Sequence, residues 1–165
     1  GFDDAGRVAI EAAARSVPIV FAPNMSVGVN ATLKLLDMAA RLLNSGYDVE
    51  VFEAHHRNKV DAPSGTALAT AARIADSSST WAPDPTTNEV LAGARGGTAA
   101  AGIAIHSVRL RGLVAHQEVL LGTTGQSLTI RQDSYDRTSF MPGVELAVRA
   151  MPGRTGVIDG LDPIL

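Results

Sequence analysis

The chain has 165 residues, with 14 Lys and Arg, 17 Asp and Glu and a formal net charge of −3. This weak acidity argues against nucleic acid as a partner, and the lack of cysteine excludes a disulfide framework, a thiol nucleophile and a zinc ribbon. No apolar run approaches the roughly 20 residues of a membrane helix, and no signal-peptide pattern opens the chain. The composition predicts a globular, cytoplasmic protein without a membrane partner.

The first half of the chain predicts three helices alternating with two strands. Apolar residues three and four apart predict the helices, and short β-branched or alternating runs predict the strands. The helices cover residues 3–15, 26–44 and 64–75, and the strands cover 17–21 and 48–54. Ser64 is the expected N-cap of the third helix, because its hydroxyl can accept from a first-turn N–H.

The second half predicts a loop, a sheet and a last helix. Residues 77–102 are rich in Ser, Pro, Thr and Gly, which predicts a long, mobile loop. Three strand-like segments then predict an antiparallel meander; they cover residues 103–112, 113–122 and 127–134. Residues 137–151 predict a helix interrupted near Pro142 and Gly143, and "GVIDGL" predicts a last short strand.

This order of elements mixes crossover connections with hairpins. It predicts an α/β fold with α+β character, in which helices pack on a mixed sheet.

The segment "VFEAHHRNKVDAPSGTALA" concentrates the polar side chains expected to do chemistry. Because alternate residues of a strand point to opposite faces, we expect the turn to begin at His55 and His56. The next helix offers the first-turn N–H groups of Gly65 and Thr66, which favour a carboxylate or phosphate. The segment predicts a small organic anion held between Lys59 and His56 on one side and the Gly65–Thr66 turn on the other.

His55 and Lys59 are the candidate proton-transfer groups. An imidazole with an unperturbed pKa near 6.5 can give or take a proton around neutral pH, and an ammonium group keeps a charge that can also donate one. In the plainer interpretation, the histidines and basic residues are solvated surface groups and "SGTALA" is an ordinary capped helix.

Two other kinds of site are weaker alternatives. A metal site is not expected, because His106 and His116 lie on predicted strands far along the chain and no cysteine supplements them. An unrelated lyase or hydrolase using His55 and Lys59 is possible in principle, but no Ser-His-Asp order or metal set accompanies these residues.

The longer stretch "FEAHHRNKVDAPSGTA" closely resembles the signature of the dihydrodipicolinate reductase family, also described as 4-hydroxy-tetrahydrodipicolinate reductase. The likeness extends through "VFAPNMSVGVN", "GLVAHQEVLLG", "LTIRQDS" and "DRTSFMPGVELAVRA" over nearly the whole chain, and is similar to the actinobacterial branch. It implies an enzyme of diaminopimelate and lysine biosynthesis that passes a hydride from NADH or NADPH to a cyclic dicarboxylate. It also implies a homotetramer assembled through the sheet.

The resemblance implies roles for single residues. His55 would be the catalytic acid/base, and Lys59 a proton donor that also helps to hold the substrate. The implied substrate ligands are His56, Gly65 and Thr66. The implied cofactor-side residues are Ala22, Pro23, Asn24 and Met25 of the "APNM" turn, with Arg137 and Phe140 nearby.

Members of this family begin with a Rossmann domain, yet no G-x-G-x-x-G follows a strand here. Residues 1–26 are therefore expected to be a remnant of the dinucleotide-binding domain, 27–136 the substrate-binding and oligomerisation domain, and 137–165 a segment returning to the first. A fragment of this kind is expected to bind cofactor weakly and to turn over little. The alternative is a non-catalytic module that binds a dicarboxylate or assembles through its sheet.

Overall fold

A computed structural model describes residues 2–43, 46–78 and 81–165. The helices are α1 (Asp4–Ala13), α2 (Val27–Leu42), α3 (Gly65–Ser77) and α4 (Met141–Ala150). The strands are β1 (Ile19–Phe21), β2 (Asp48–His56), β3 (Gly97–Thr98), β4 (Ala104–Leu110), β5 (Ala115–Thr123), β6 (Gln126–Ser134) and β7 (Val157–Asp159). None of the helices in these ranges is long and apolar enough to cross a membrane.

The chain divides into two compact units. The first unit contains the residues up to Asn30 together with Arg137–Leu165, and the second contains Ala31–Asp136. The functional roles assigned above to segments 1–26, 27–136 and 137–165 stay predictions.

The first unit contains a two-stranded parallel sheet, in which β1 pairs with β7. Asp3 is the N-cap of α1, since Gly6 N–H donates to its Oδ1 at 2.8 Å. The last helix is not interrupted near Pro142 and Gly143, as the sequence predicts; these residues lie at its beginning. A 3-10 turn, Arg137–Phe140, precedes α4 and places Pro142 in the first turn, where its missing N–H costs no intrahelical bond.

The second unit is built on a five-stranded mixed sheet in the order β3-β4-β2-β5-β6. Strand β2 lies between β4 and β5, parallel to the first and antiparallel to the second. The mixed α/β fold class is thus confirmed, but the predicted three-stranded meander is wrong for β4 and β5, which do not pair. The crossover through α3 brings β4 alongside β2 in parallel, so that only β5 and β6 form a hairpin.

Some element boundaries differ from prediction. Strand β2 continues two residues beyond 54, and α3 ends at Ser77. The predicted end of the second helix at Asn44 lies outside the described residues. From 81 to 96 the described chain forms neither helix nor strand, in keeping with the predicted loop, and β3 and a 3-10 turn, Ala100–Gly102, follow it.

The apolar core of the second unit lies on one face of this sheet. Buried side chains of α2 and α3 pack there against odd-numbered residues of β2, β4 and β5, because a strand presents alternate residues to the same face. The core residues are Leu36, Ala40, Val49, Val51, Ala67, Ala71, Ile74, Trp81, Ile103, Ile105, Val119 and Leu121. The same face continues along β2 to Glu53 and His55.

Candidate active site

At the end of β2 the core face of the sheet changes from apolar to charged. Glu53 and His55 lie on this face two residues apart. The parallel neighbour β4 places Ser107 beside Glu53 and Arg109 beside His55. Four polar side chains therefore meet at the carboxyl end of a parallel strand pair, a position where α/β folds commonly bind ligands.

The Glu53 carboxylate is the centre of this cluster and is fully buried. Arg109 donates to both oxygens, from Nη1 to Oε2 and from Nη2 to Oε1, each at 2.8 Å. Ser64 N–H donates to Oε1 at 3.2 Å, and His55 Nδ1 lies 2.5 Å from Oε2. Burial alone raises the pKa of Glu53, but its hydrogen bonds, the strongest from Arg109, outweigh burial and hold that pKa below its ordinary value. Glu53 is therefore an ionised acceptor.

The His55 ring is held in one tautomer by this carboxylate. Because an ionised carboxylate can only accept, Nδ1 carries the proton in the 2.5 Å contact with Glu53. Burial is the largest single influence on the pKa of His55 and lowers it, whereas the Glu53 carboxylate raises it. The charges of Lys59 and Arg109 also lower that pKa, and the net result lies below the ordinary value of histidine. The imidazole is therefore mainly neutral at pH 7. Its Nε2, which has no hydrogen-bond partner among the described residues, can accept a proton.

Lys59 lies in the turn after β2 and is paired with Asp61. Its Nζ is 2.8 Å from both carboxylate oxygens of Asp61. The main-chain oxygen of Asp61 accepts from Arg109 Nη2 at 2.6 Å, which attaches this turn to the Glu53 cluster. The Asp61 side chain is 54% exposed, and ion pairs in contact with water exchange easily. An arriving carboxylate can therefore take the place of Asp61 on Lys59.

Helix α3 begins beside the same buried carboxylate. Ser64 is its N-cap, as predicted, and its Oγ accepts from Ala67 N–H at 3.1 Å. The N–H of Gly65 has no acceptor among the described residues, and a Cβ built at Gly65 would meet nothing within 4 Å. Open space at the positive end of a helix dipole favours an anion, and Thr66 follows in the same first turn.

The other predicted substrate ligand, His56, is placed differently. It is the last residue of β2 and is exposed, and strand alternation assigns it to the face opposite His55. The prediction that a turn begins at the two histidines is wrong, because the ladder with β4 continues to the pair His56–Leu110. A role for His56 in substrate binding stays a prediction.

The predicted cofactor-side turn, Ala22, Pro23, Asn24 and Met25, lies in the first unit after the carboxyl end of β1. Asn24 Oδ1 accepts from Ser26 N–H at 2.8 Å. The Nδ2 group of Asn30 donates to the main-chain oxygens of Asn24 and Ser26 at 3.0 and 2.8 Å. Internal hydrogen bonds therefore fix the path of the main chain through this turn.

Helix α4 approaches the same turn closely. A Cβ at Gly143 would lie 1.8 Å from the carbonyl oxygen of Met25, so this position requires glycine. Arg137, which is exposed, and Phe140, which is half-buried, lie on the 3-10 turn before α4. Their predicted proximity to a cofactor stays a prediction.

The two remaining histidines take part in side-chain pairs within the second unit. His106 is bonded to Glu50, and His116 Nδ1 lies 2.6 Å from Asp133 Oδ1. Within the described ranges, no group of three or more His, Asp or Glu residues is arranged to hold a metal ion.

Three residues of the site, Glu53, Arg109 and Asp61, were not among those predicted from the sequence. Glu53 has a recognisable signal, since it is a charged residue at a core-facing position of an alternating strand. Arg109 has none, because its pairing depends on the parallel register of β2 and β4, which lie 56 residues apart at this contact.

The fold and the cluster together define a class of protein: an α/β domain in which a histidine lies beside a helix N-terminus suited to an anion. Residues 28–165 match the family model described as "Dihydrodipicolinate reductase, C-terminus". The chain belongs to this family, which confirms the resemblance seen in its sequence.

Several relatives are named 4-hydroxy-tetrahydrodipicolinate reductase. The chain is 50% identical over 158 residues to the protein of Nocardia farcinica and 49% identical over 155 residues to that of Mycolicibacterium vanbaalenii, covering 93% of this chain and 62% of each relative. A solved structure, "Dipicolinate bound Dihydrodipicolinate reductase from Paenisporosarcina sp. TG-14", has a TM-score of 0.82 and 41% identity and covers 100% of this chain and 62% of that one. The chain thus spans about three fifths of the length of these relatives.

Proposed function

We propose that this chain is the substrate-binding part of a reductase that uses NADH or NADPH to convert 4-hydroxy-tetrahydrodipicolinate to tetrahydrodipicolinate in diaminopimelate and lysine biosynthesis. The names of its relatives support the reaction, and the dipicolinate-bound relative supports a planar dicarboxylate as ligand. The observation that carries the proposal is the Glu53 carboxylate, which directly contacts His55 and Ser64 at the start of α3.

Binding of the dicarboxylate uses two positive centres in this proposal. One carboxylate replaces Asp61 on the Lys59 ammonium, a substitution that needs no new charge to be buried. The other lies at the N-terminus of α3, near the main chain of Gly65 and Thr66. His56 is assigned as a further substrate ligand only because the family resemblance implies it.

His55 acts as the acid/base. In the absence of ligand its pKa is lowered, so the ring is mainly neutral. A dianion bound nearby favours the protonated ring, because an opposite charge within a few ångströms stabilises the charged form. Substrate binding therefore draws a proton onto Nε2 of His55. The 4-hydroxyl group leaves as water with a proton from the neighbouring carbon, the hydride adds to the carbon that carried it, and the proton on Nε2 can then be passed to the ring carbon beside the reduced one. Lys59 is a second source of protons.

The cofactor is assigned to the turn Ala22–Met25. This turn follows the carboxyl end of a parallel strand and has a main-chain path fixed by hydrogen bonds, which fits one side of a nicotinamide site. When bound there, NADH or NADPH would supply the hydride. The turn orients the ring, and Arg137 and Phe140 are assigned to its surroundings on family grounds.

A cytoplasmic homotetramer is proposed on the same grounds. Strand β6 is an outer strand of the sheet and exposes Leu128, which is consistent with pairing between subunits. Light scattering that gave a monomer at micromolar concentration would contradict this assembly.

Replacing Lys59 with alanine is expected to weaken binding of pyridine-2,6-dicarboxylate about 10–100-fold, because a charge-assisted contact is lost. Calorimetric titration of the 165-residue chain measures this change. Lys34→Ala is the matched control, since Lys34 is exposed on α2 and the variant has the same net charge. Asp61→Asn should bind at least as tightly as the unaltered chain, because the competing carboxylate is removed. Equal affinity of the Lys59 and Lys34 variants would contradict the proposed site.

A further inference from the structure

We propose that Glu53 is a positioning residue, which fixes the tautomer and direction of the His55 ring and joins that ring to the start of α3. The inference deepens the proposed function, because it rests on His55 as the acid/base. It concerns a residue that does not itself touch the substrate.

The geometry of the carboxylate carries this inference. Each oxygen of Glu53 accepts from one nitrogen of Arg109. The Ser107 side chain also donates to this carboxylate, and each oxygen has a further donor. The further donor is His55 Nδ1 for Oε2 and Ser64 N–H for Oε1. Rotation of the carboxylate would break its contacts with Arg109, His55 and Ser64, so the imidazole and the helix start are held relative to one another by a single buried group.

The position of the proton on His55 follows from these contacts. The nitrogen that bonds the carboxylate must donate, and the other nitrogen is then the basic one. With Nδ1–H directed at Glu53, Nε2 is the atom that exchanges a proton with a ligand. The opposite tautomer would leave Nε2 already protonated and unable to act as a base.

The charges around His55 explain why the residue that positions its ring must be an anion. Glu53 on β2 is the negative group that faces the ring, and the positive groups are Lys59 in the following turn and Arg109 on β4. Without the Glu53 charge the two cations remain, and both disfavour the imidazolium ion. The ring would then take up a proton less readily when substrate binds.

Nitrogen-15 NMR of the ligand-free 165-residue chain tests the inference. In the unaltered chain above pH 7, His55 is expected to carry its proton on Nδ1 and none on Nε2. In Glu53→Gln the pKa of His55 is expected to fall and the preference for Nδ1–H to weaken. In a catalytically active protein that contains this chain, Glu53→Gln should lower kcat about 10–100-fold. The Kd for pyridine-2,6-dicarboxylate should stay within a few-fold of that of the parent protein.

Glu50→Gln is the matched control, because Glu50 lies on the same strand and bonds a different histidine, His106. It should leave the titration of His55 as it was. An Nε2–H tautomer in the unaltered chain would overturn the inference, as would a His55 titration that Glu53→Gln leaves unchanged.

Two features keep this test decisive. If Glu53→Gln does not fold, two other measurements decide whether Glu53 positions the His55 ring. One is the tautomer of His55 in the unaltered chain, and the other is the titration of His55 in Glu53→Asp, which keeps the charge. The NMR measurements need no ligand, so a chain that fails to bind a dicarboxylate can still show the predicted tautomer. Failure of the proposed function and failure of the positioning role are therefore distinguishable.

Discussion

Replacing His55 with alanine is expected to lower kcat about 10²–10⁴-fold, the usual contribution of a positioned acid/base. The Kd for pyridine-2,6-dicarboxylate should change only a few-fold, because a group that moves a proton acts mainly in the transition state. The rate is measured in a protein in which this chain is joined to the part of the Nocardia farcinica reductase that precedes the matched segment. Binding is measured in the same protein.

His106→Gln is the control for that experiment. His106 also lies on the mixed sheet but is bonded to Glu50 rather than to the Glu53 cluster. Its substitution should leave kcat within a few-fold of the parent protein. A His55→Ala protein with unchanged kcat would remove the acid/base role, and a similar loss in both variants would point to general damage to the sheet.

Replacing Arg109 with alanine is expected to lower the free energy of unfolding by about 3–5 kcal/mol at pH 7.5, because it leaves the fully buried Glu53 carboxylate without its cation. The loss should be smaller at pH 5. In the parent chain the pKa of Glu53 lies below its ordinary value, and Glu53 stays ionised. In the variant burial raises that pKa, so Glu53 becomes protonated as the pH falls and the cost of the unpaired charge declines.

Urea unfolding at the two pH values measures this effect. The matched control is Arg131→Ala, since the Arg131 side chain is 56% exposed in its pairs with Asp133 and Glu118. The control should lose no more than about 1 kcal/mol. Adding Glu53→Gln to Arg109→Ala should recover part of the stability, because a neutral amide costs less to bury than a carboxylate. Equal losses of unfolding free energy in Arg109→Ala and Arg131→Ala would contradict the proposal that the buried Glu53 carboxylate depends on Arg109.

The elements that local signals specify were largely predictable from the sequence. Asp3 and Ser64 are short polar residues directly before apolar-periodic segments, and each caps the helix that follows it. The strand order was not predictable in this way. Local alternation marks β4 and β5 as strands, but it does not reveal that β2 lies between them.

The residues of the candidate site also fall into two groups, those that one local segment indicates and those that only the fold brings together. His55, Lys59 and Gly65 belong to one short segment, and residue chemistry together with the family resemblance suggested their roles. The Glu53–Arg109 pair joins positions 56 residues apart, and only the folded sheet brings them together. Strand alternation also separates His55 from His56, because the strand continues through both histidines.

The central claim is that a planar dicarboxylate binds at His55, Lys59 and the start of α3. Its most direct test is NMR of the isotope-labelled 165-residue chain during titration with pyridine-2,6-dicarboxylate. The account predicts saturable shifts at His55 Nε2, at Lys59 Nζ and at the amides of Gly65 and Thr66, with His106 and His116 unaffected. A folded chain that shows no shifts at these positions, or shifts only elsewhere, would contradict it.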